Sequence, residues 1–227
     1  MKYLNYFMAF IGLFILDVLY SSIVVGVLNS LGIDILSFSL IKKCLSLILI
    51  DLSLMIIFYL IYRKELNKEF FKYIRHFGEY FSFGFKWWII GLCIMIGSNL
   101  IIQIIYPSVA NNEAAIQNAM ASMPLYIAFS SCFFAPFVEE IIFRKSLRKV
   151  FNNDFLFILM SGLLFGLVHN LTSLDSGQVL YMIPYGAFGC VFAYMYTKTR
   201  TIFTSMMFHF IHNTVLVFIS LYSMGVL

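Results

Sequence analysis

Charged side chains are scarce in this chain. Asp, Glu, Lys and Arg make up 11% of its 227 residues, against roughly 25% in a soluble domain. With 62% of its residues hydrophobic, it has too little polar surface to face water on every side. That excludes an ordinary soluble globular domain and leaves the bilayer as solvent. The four cysteines, Cys44, Cys93, Cys132 and Cys190, stand singly in or beside apolar runs. No two have a metal-type spacing, so neither a zinc cluster nor a disulfide framework is expected, and each reads as a small apolar residue. No segment reads as a strand, no tract is of low complexity, and no internal repeat is present. The excess of 15 Lys and Arg over 11 acids is modest and does not point to nucleic acid as a partner. The apolar run after Met1-Lys2 continues to about Leu28 without a clear small-residue cleavage site, so a retained first helix is expected rather than a signal peptide.

A helix needs about 20 apolar residues to cross a bilayer core. Seven segments meet or approach that length: 4–28, 42–62, 87–107, 124–145, 155–171, 177–197 and 201–224. The first two are interrupted by Asp17 and Asp51, and the fifth is short. The expected fold is all-α, a polytopic membrane helix bundle of about seven transmembrane helices in one membrane domain. Helices 1–3 occupy 1–123 and helices 4–7 occupy 124–224. Placing the N-terminus in the cytoplasm puts thirteen of the fifteen Lys and Arg on the inner side, as the positive-inside rule requires. Only Lys42 and Lys43 fall outside, and the external loops near 108–123 and 171–176 have neither Lys nor Arg. The segment 64–86 alternates Phe70, Phe71, Ile74 and Phe77 with Lys68, Lys72 and Arg75. It reads as an amphipathic cytoplasmic helix on the inner leaflet, ahead of the interfacial Trp87 and Trp88.

Ionisable groups inside a bilayer cost several kcal/mol and mark pairing or function. Three clusters stand out. In Glu139-Glu140-Ile141-Ile142-Phe143-Arg144, Glu140 and Arg144 are four apart, acid first, the favourable order for a helical ion pair. Glu139 lies about 100° round the helix and is left for other work. An ordinary cytoplasmic helix end accounts for Arg144 and Lys145 but not for Glu139, which comes after 25 residues without a charge, 114–138. The second cluster is Phe165-Gly166-Leu167-Val168-His169, where Gly162 and Gly166 form a small-xxx-small face for close helix approach. The third is His209-Phe210-Ile211-His212-Asn213, with His209 and Asn213 on one face and His212 beside it. If the hairpin between helices 4 and 5 turns at Asn152-Asn153, Glu139 and His169 lie roughly 20 and 25 Å from the turn. They are then nearly level. His209 lies roughly 13 Å beyond the turn near 197–200. A site built from all three would be inside the membrane, toward the cytoplasmic face, provided helix 4 runs on past Arg144.

The three clusters resemble the signatures of the CPBP family, also called the Abi or type II CAAX prenyl endopeptidase family: E-E-x-x-x-R, F-x-x-x-H and H-x-x-x-N on successive membrane helices. The resemblance covers about 124–213, and His212 lies outside the pattern. It implies an intramembrane glutamate-type peptidase of the cytoplasmic membrane, acting on a membrane-associated peptide or protein. By that resemblance Glu139 is the base that activates water and His169 orients the water. His209 and Asn213 donate to the oxyanion, and Glu140 and Arg144 support the site. No cofactor is implied. Zinc held by Glu and His is the alternative mechanism, although the H-E-x-x-H pair is absent. By analogy with bacterial relatives, the expected setting is bacteriocin self-immunity or peptide-signal processing. The alternatives are a non-catalytic scaffold or immunity protein binding a peptide in the same cavity, and a transporter using Asp17 and Asp51 on a cation path. No inverted repeat supports the transporter, and Asp17 and Asp51 are expected to pair with a neighbouring helix.

Overall fold

The computed structural model describes residues 2–171 and 177–225. Among them no strand occurs, and the chain is a polytopic helical bundle. The helices are α1 (Lys2–Ser30), α2 (Leu40–Arg75), α3 (Phe77–Ile105), α4 (Asn111–Ser122), α5 (Pro124–Lys149), α6 (Asp154–Val168), α7 (Met182–Thr199) and α8 (Ile202–Ser223). Six helical stretches are long and apolar enough to cross a membrane: α1, α2, α3, α5, α8, and α7 taken with the 3-10 turn Gly177–Tyr181 before it. The remaining apolar helix, α6, has 15 residues, or roughly 22 Å, and falls short of the bilayer core.

Two expectations are corrected. The segment 64–86 is not a separate surface helix. Its first part extends α2 to a length of 36 residues, and its second part begins α3, with His76 alone between them. Glu65, Glu69 and Lys72 there face partners on other helices, contacts that hold this part of α2 against the bundle. The stretch 108–123 is not a plain loop either. It holds α4, whose N-terminal turn is tied down by Gln178: Asn111 N donates to Gln178 Oε1, and Gln178 Nε2 donates to Ser108 Oγ and to the Val109 carbonyl, all at 3.0 Å. Of the expected external loop 171–176, residues 172–176 lie outside the described residues.

The basic segments share one end of the bundle, held by a polar knot. Lys145 pairs with Glu69 and, at 3.1 Å, with Glu65. Lys149 also pairs with Glu65, at 3.1 Å. Glu69 Oε2 accepts from Ile202 N at 2.9 Å, at the start of α8, where the helix dipole favours a carboxylate. Lys72 donates to the Thr199 carbonyl at the end of α7. Sequence spacing suggests Lys145 as an ordinary solvated charge, but its side chain is buried. Asp51, also buried, faces the hydroxyls of Ser21 on α1 and Tyr126 and Ser130 on α5.

The closest helix contact joins α6 to α7 through glycines. A Cβ on Gly162 would stand 2.2 Å from Cys190 Sγ and 2.8 Å from the Gly186 carbonyl. One on Gly166 would stand 2.5 Å from the Met182 carbonyl. The small face expected on α6 therefore meets a second small face, Gly186 and Gly189, on α7, in the manner of glycine-mediated membrane helix pairs. A Cβ on Gly97 of α3 would meet nothing within 4 Å. Gly166→Val should therefore destabilise the bundle by about 3 kcal/mol or more, at the upper end of overpacking costs because the obstacle is backbone. Gly97→Ala should be neutral. Thermal unfolding of the two variants in detergent checks the contrast, and equal midpoints would contradict the packing described.

Candidate functional site

The helix that carries both glutamates is not uniform. Within α5 the turns Ser130–Phe134 and Ile141–Ser146 are π-helical, and they flank the α-helical Ala135–Glu140. Wide turns of this kind occur mostly as single bulges and often at functional sites. Pro136 contributes to the first, since it offers no N–H to the preceding turn. The helix then continues to Lys149, past Arg144 as the hairpin geometry requires.

Arg144 and Glu140 have no solvent exposure at all. Arg144 Nη2 lies 3.2 Å from Glu140 Oε1, so the i,i+4 pair forms. It forms inside the protein rather than at a wet helix end, which corrects the reading of Arg144 as an ordinary terminal charge. The guanidinium is enclosed by the rings of Phe143, Phe165 and Phe192 at 5.9, 4.9 and 5.6 Å, a favourable cation–π environment. Its Nη1 donates to Ser161 Oγ at 3.4 Å, and that hydroxyl donates to the Phe143 carbonyl.

His209 stands between the two glutamates. Its Nδ1 is 3.1 Å from Glu140 Oε1 and its Nε2 is 3.7 Å from Glu139 Oε2. An ionised carboxylate only accepts, so Nδ1 carries a hydrogen. The Nε2–Glu139 contact is within ion-pair range but too long for a hydrogen bond. Glu139 Oε2 is buried and has no hydrogen-bond partner among the described residues. The Phe192 ring stacks on the imidazole of His209 at 4.9 Å and 22°. Asn213, one turn on, donates through Nδ2 to the Ser131 carbonyl at 2.8 Å, a carbonyl in the first π turn.

His169 is the residue at which α6 ends. Its Nδ1 is 2.8 Å from the Phe165 carbonyl, and Asn170 Nδ2 donates to the Gly166 carbonyl at 2.9 Å. The Asn170 side chain takes the Gly166 carbonyl that its own amide would bond in a longer helix, while that amide turns to the Leu167 carbonyl, and α6 stops at Val168 instead of reaching 171. A carbonyl only accepts, so Nδ1 holds the hydrogen and Nε2 is left as an acceptor. The imidazole lies between Phe165, at 4.4 Å, and Tyr185, at 4.8 Å and nearly parallel. Tyr185 is held in turn by Asn112 of α4, whose Nδ2 donates to its hydroxyl at 3.2 Å.

One cavity of about 400 Å³ joins these groups. Glu139, His169, His209, His212 and Asn213 line it. Glu140 and Arg144 do not; they lie behind His209. The cavity extends away from the basic end, along α7 and α8 to α4 and the end of α3. Its floor is set by His209, seven residues or roughly 10 Å from the start of α8. His212, outside the sequence pattern, packs against Phe188 at 4.2 Å. The sequence pattern does not single out Tyr185, Phe192, Ser161 or Asn112. The aromatic and hydroxyl residues among them carry no charge to mark them in an apolar run, and Asn112 falls in a stretch that reads as loop.

Among the described residues no three His, Cys, Asp or Glu side chains come together as metal ligands, and Glu140 is already committed to Arg144 and His209.

Removing one partner of a buried pair costs about 3–5 kcal/mol, whereas replacing both by neutral groups of similar shape is close to neutral. Arg144→Met should therefore lower the detergent unfolding midpoint sharply, and Glu140→Gln with Arg144→Met should recover most of the loss. Equal midpoints for the single and double variants would contradict the pairing.

Residues 121–215 match the model of the family described as type II CAAX prenyl endopeptidase Rce1-like. The chain is also 32% identical over 115 residues to "Putative membrane peptidase YdiL" of Bacillus subtilis (strain 168). That likeness covers 49% of this chain and 44% of the relative, so the chain matches less than half the relative's length. No solved structure matches.

Proposed function

We propose that the chain is a member of the CPBP or type II CAAX prenyl endopeptidase family, whose model matches residues 121–215, and that it is an intramembrane endopeptidase in which Glu139 activates water. The observation that carries this reading is the buried Glu139 Oε2, without a hydrogen-bond partner among the described residues, in a cavity it shares with His169, His209 and Asn213.

In this mechanism water sits between Glu139 and His169 Nε2, which accepts from it and fixes its orientation. Glu139 takes one proton as the water oxygen attacks the peptide carbonyl carbon. The oxyanion that forms is met by protonated His209 Nε2 and by the second hydrogen of Asn213 Nδ2. The C–N bond then breaks, the proton held by Glu139 passes to the leaving amine, and a carboxyl and an amino terminus are released. Glu140 works through His209: it holds the Nδ1 hydrogen and keeps Nε2 directed at the cavity, as an orienting carboxylate does for a catalytic histidine. Arg144 pairs with Glu140 and holds it in place. The substrate is a membrane-associated peptide or protein, the setting is the cytoplasmic membrane, and the physiological role is bacteriocin self-immunity or peptide-signal processing.

Purified protein in lipid nanodiscs, supplied with fluorogenic apolar peptides, tests the reading. Loss of a general base should lower turnover by roughly 10²–10⁴-fold, so Glu139→Gln and Glu139→Ala should be nearly inactive while remaining folded by circular dichroism. Full activity in folded Glu139→Ala would refute the mechanism. A cellular phenotype unchanged by Glu139→Gln and His169→Ala would instead favour a non-catalytic scaffold.

A further inference from the structure

The cavity has a marked charge asymmetry. Its lining includes two carboxylates, Glu139 at the floor and Glu113 on α4, and no Lys or Arg. The sequence shows why none can enter. Residues 87–143, 150–197 and 201–227 contain neither Lys nor Arg, and these stretches supply every lining residue. Residues 172–176 carry Asp175 and no cation. Lys42 and Lys43, in the first turn of α2, are the basic residues the sequence assigns to this end, and neither lines the cavity.

Glu113 is held in place on the rim. Its Oε1 accepts from Gln117 Nε2 at 3.0 Å, one turn along α4. Among the described residues no cation forms an ion pair with it. The neighbouring Asn112 joins α4 to Tyr185, which stacks on His169, and Gln178 ties down the first turn. The first turn of α4, which carries Glu113, is thus tied to the wall of the cavity that holds His169. Neutral polar side chains, Asn99 and Gln103 of α3, complete the rim. An anionic group entering this space meets two carboxylates, and the one imidazolium of the mechanism, His209, is already flanked by Glu139 and Glu140. An ammonium or guanidinium meets at Glu113 a carboxylate that no cation among the described residues pairs with.

We propose that this cavity selects cationic peptide segments, with Glu113 pairing with a Lys, Arg or amino-terminal cation of the substrate while the scissile bond lies at Glu139, and that it rejects segments ending in a free carboxylate. The proposal rests on the peptidase reading for the substrate's being a peptide, but its charge preference is measured without turnover. The full chain carrying Glu139→Gln is placed in nanodiscs of zwitterionic phosphatidylcholine, so that the lipid itself does not recruit cations. Binding of three labelled Leu/Ala-rich peptides is read by fluorescence anisotropy. One carries two lysines and an amidated end, one two glutamates and an amidated end, and one is neutral with a free carboxylate. The lysine peptide is expected to bind about tenfold tighter than either of the others, the equivalent of about 1.4 kcal/mol. In the same background Glu113→Gln should bring the ratio close to unity, Glu113→Lys should invert it, and Glu113→Asp should retain it. A ratio near unity in the parent, a ratio that Glu113→Gln and Glu113→Lys leave unchanged, or binding of none of the peptides overturns the proposal. Absence of cleavage by the unmodified chain, with the charge preference intact, overturns the peptidase reading alone.

Discussion

Glu140 and Arg144 place two full charges where no water reaches them, and the surrounding structure is organised by the need to neutralise that pair. A buried charge left alone costs several kcal/mol. The pair is therefore enclosed by partners: His209 on Glu140, Ser161 on Arg144, and three phenylalanine rings round the guanidinium. These partners come from α5, α6, α7 and α8, so satisfying one ion pair fixes the relation of four helices. Phe165 serves both the pair and the site. It lies against the guanidinium on one side, and its ring and carbonyl hold His169 on the other.

The cavity exists because a helix stops early. Among the described residues α6 ends at His169, short of the level that the neighbouring helices reach. The 3-10 turn, α4 and the end of α3 surround the cavity there. Close glycine contact between α6 and α7 sets His169 against Tyr185, and the polar knot at the basic end holds α2, α5, α7 and α8 together below. Rigid packing beneath and around the site is the condition for positioning catalytic groups inside a membrane, where irregular backbone is tolerated only if it lines a cavity or is covered by protein.

Much of this is legible in the sequence, and the reasons for the rest are physical. The apolar runs locate the long helices because a bilayer imposes a length. The turns after α5 and α7 are marked by Asn152-Asn153 and by the polar stretch ending at Arg200, which takes the left-handed conformation that closes the turn. The pairing of Glu140 with Arg144 is readable because four residues is a contact distance on a helix. His209 is different: its expected role is an oxyanion donor alone, yet it also bridges two carboxylates 69 and 70 positions away, a contact no local spacing reveals. Helix α4 reads as loop because its sequence, rich in Asn and Ala, shows no apolar stripe, and its register depends on Gln178 and Tyr185 from elsewhere. The burial of Arg144 and Lys145 is hidden for the same reason: their partners lie on other helices.

The π turns on either side of Glu139-Glu140 have a consequence at the level of the gene. A π turn holds more residues than an α turn, and losing one residue relaxes it to the commoner form with the helix intact. An in-frame loss of a single codon within 141–146 would therefore leave the two ends of α5 nearly in phase, whereas the same loss from an α-helical turn would rotate one end by about 100° relative to the other. The glutamates would keep facing His209, and only the wide turn beside them would be gone. Such an allele would insert into the membrane with Glu139 and Glu140 in place. The wide turns are thus the places where α5 can change length without losing its facing, although no residue type in the sequence announces them.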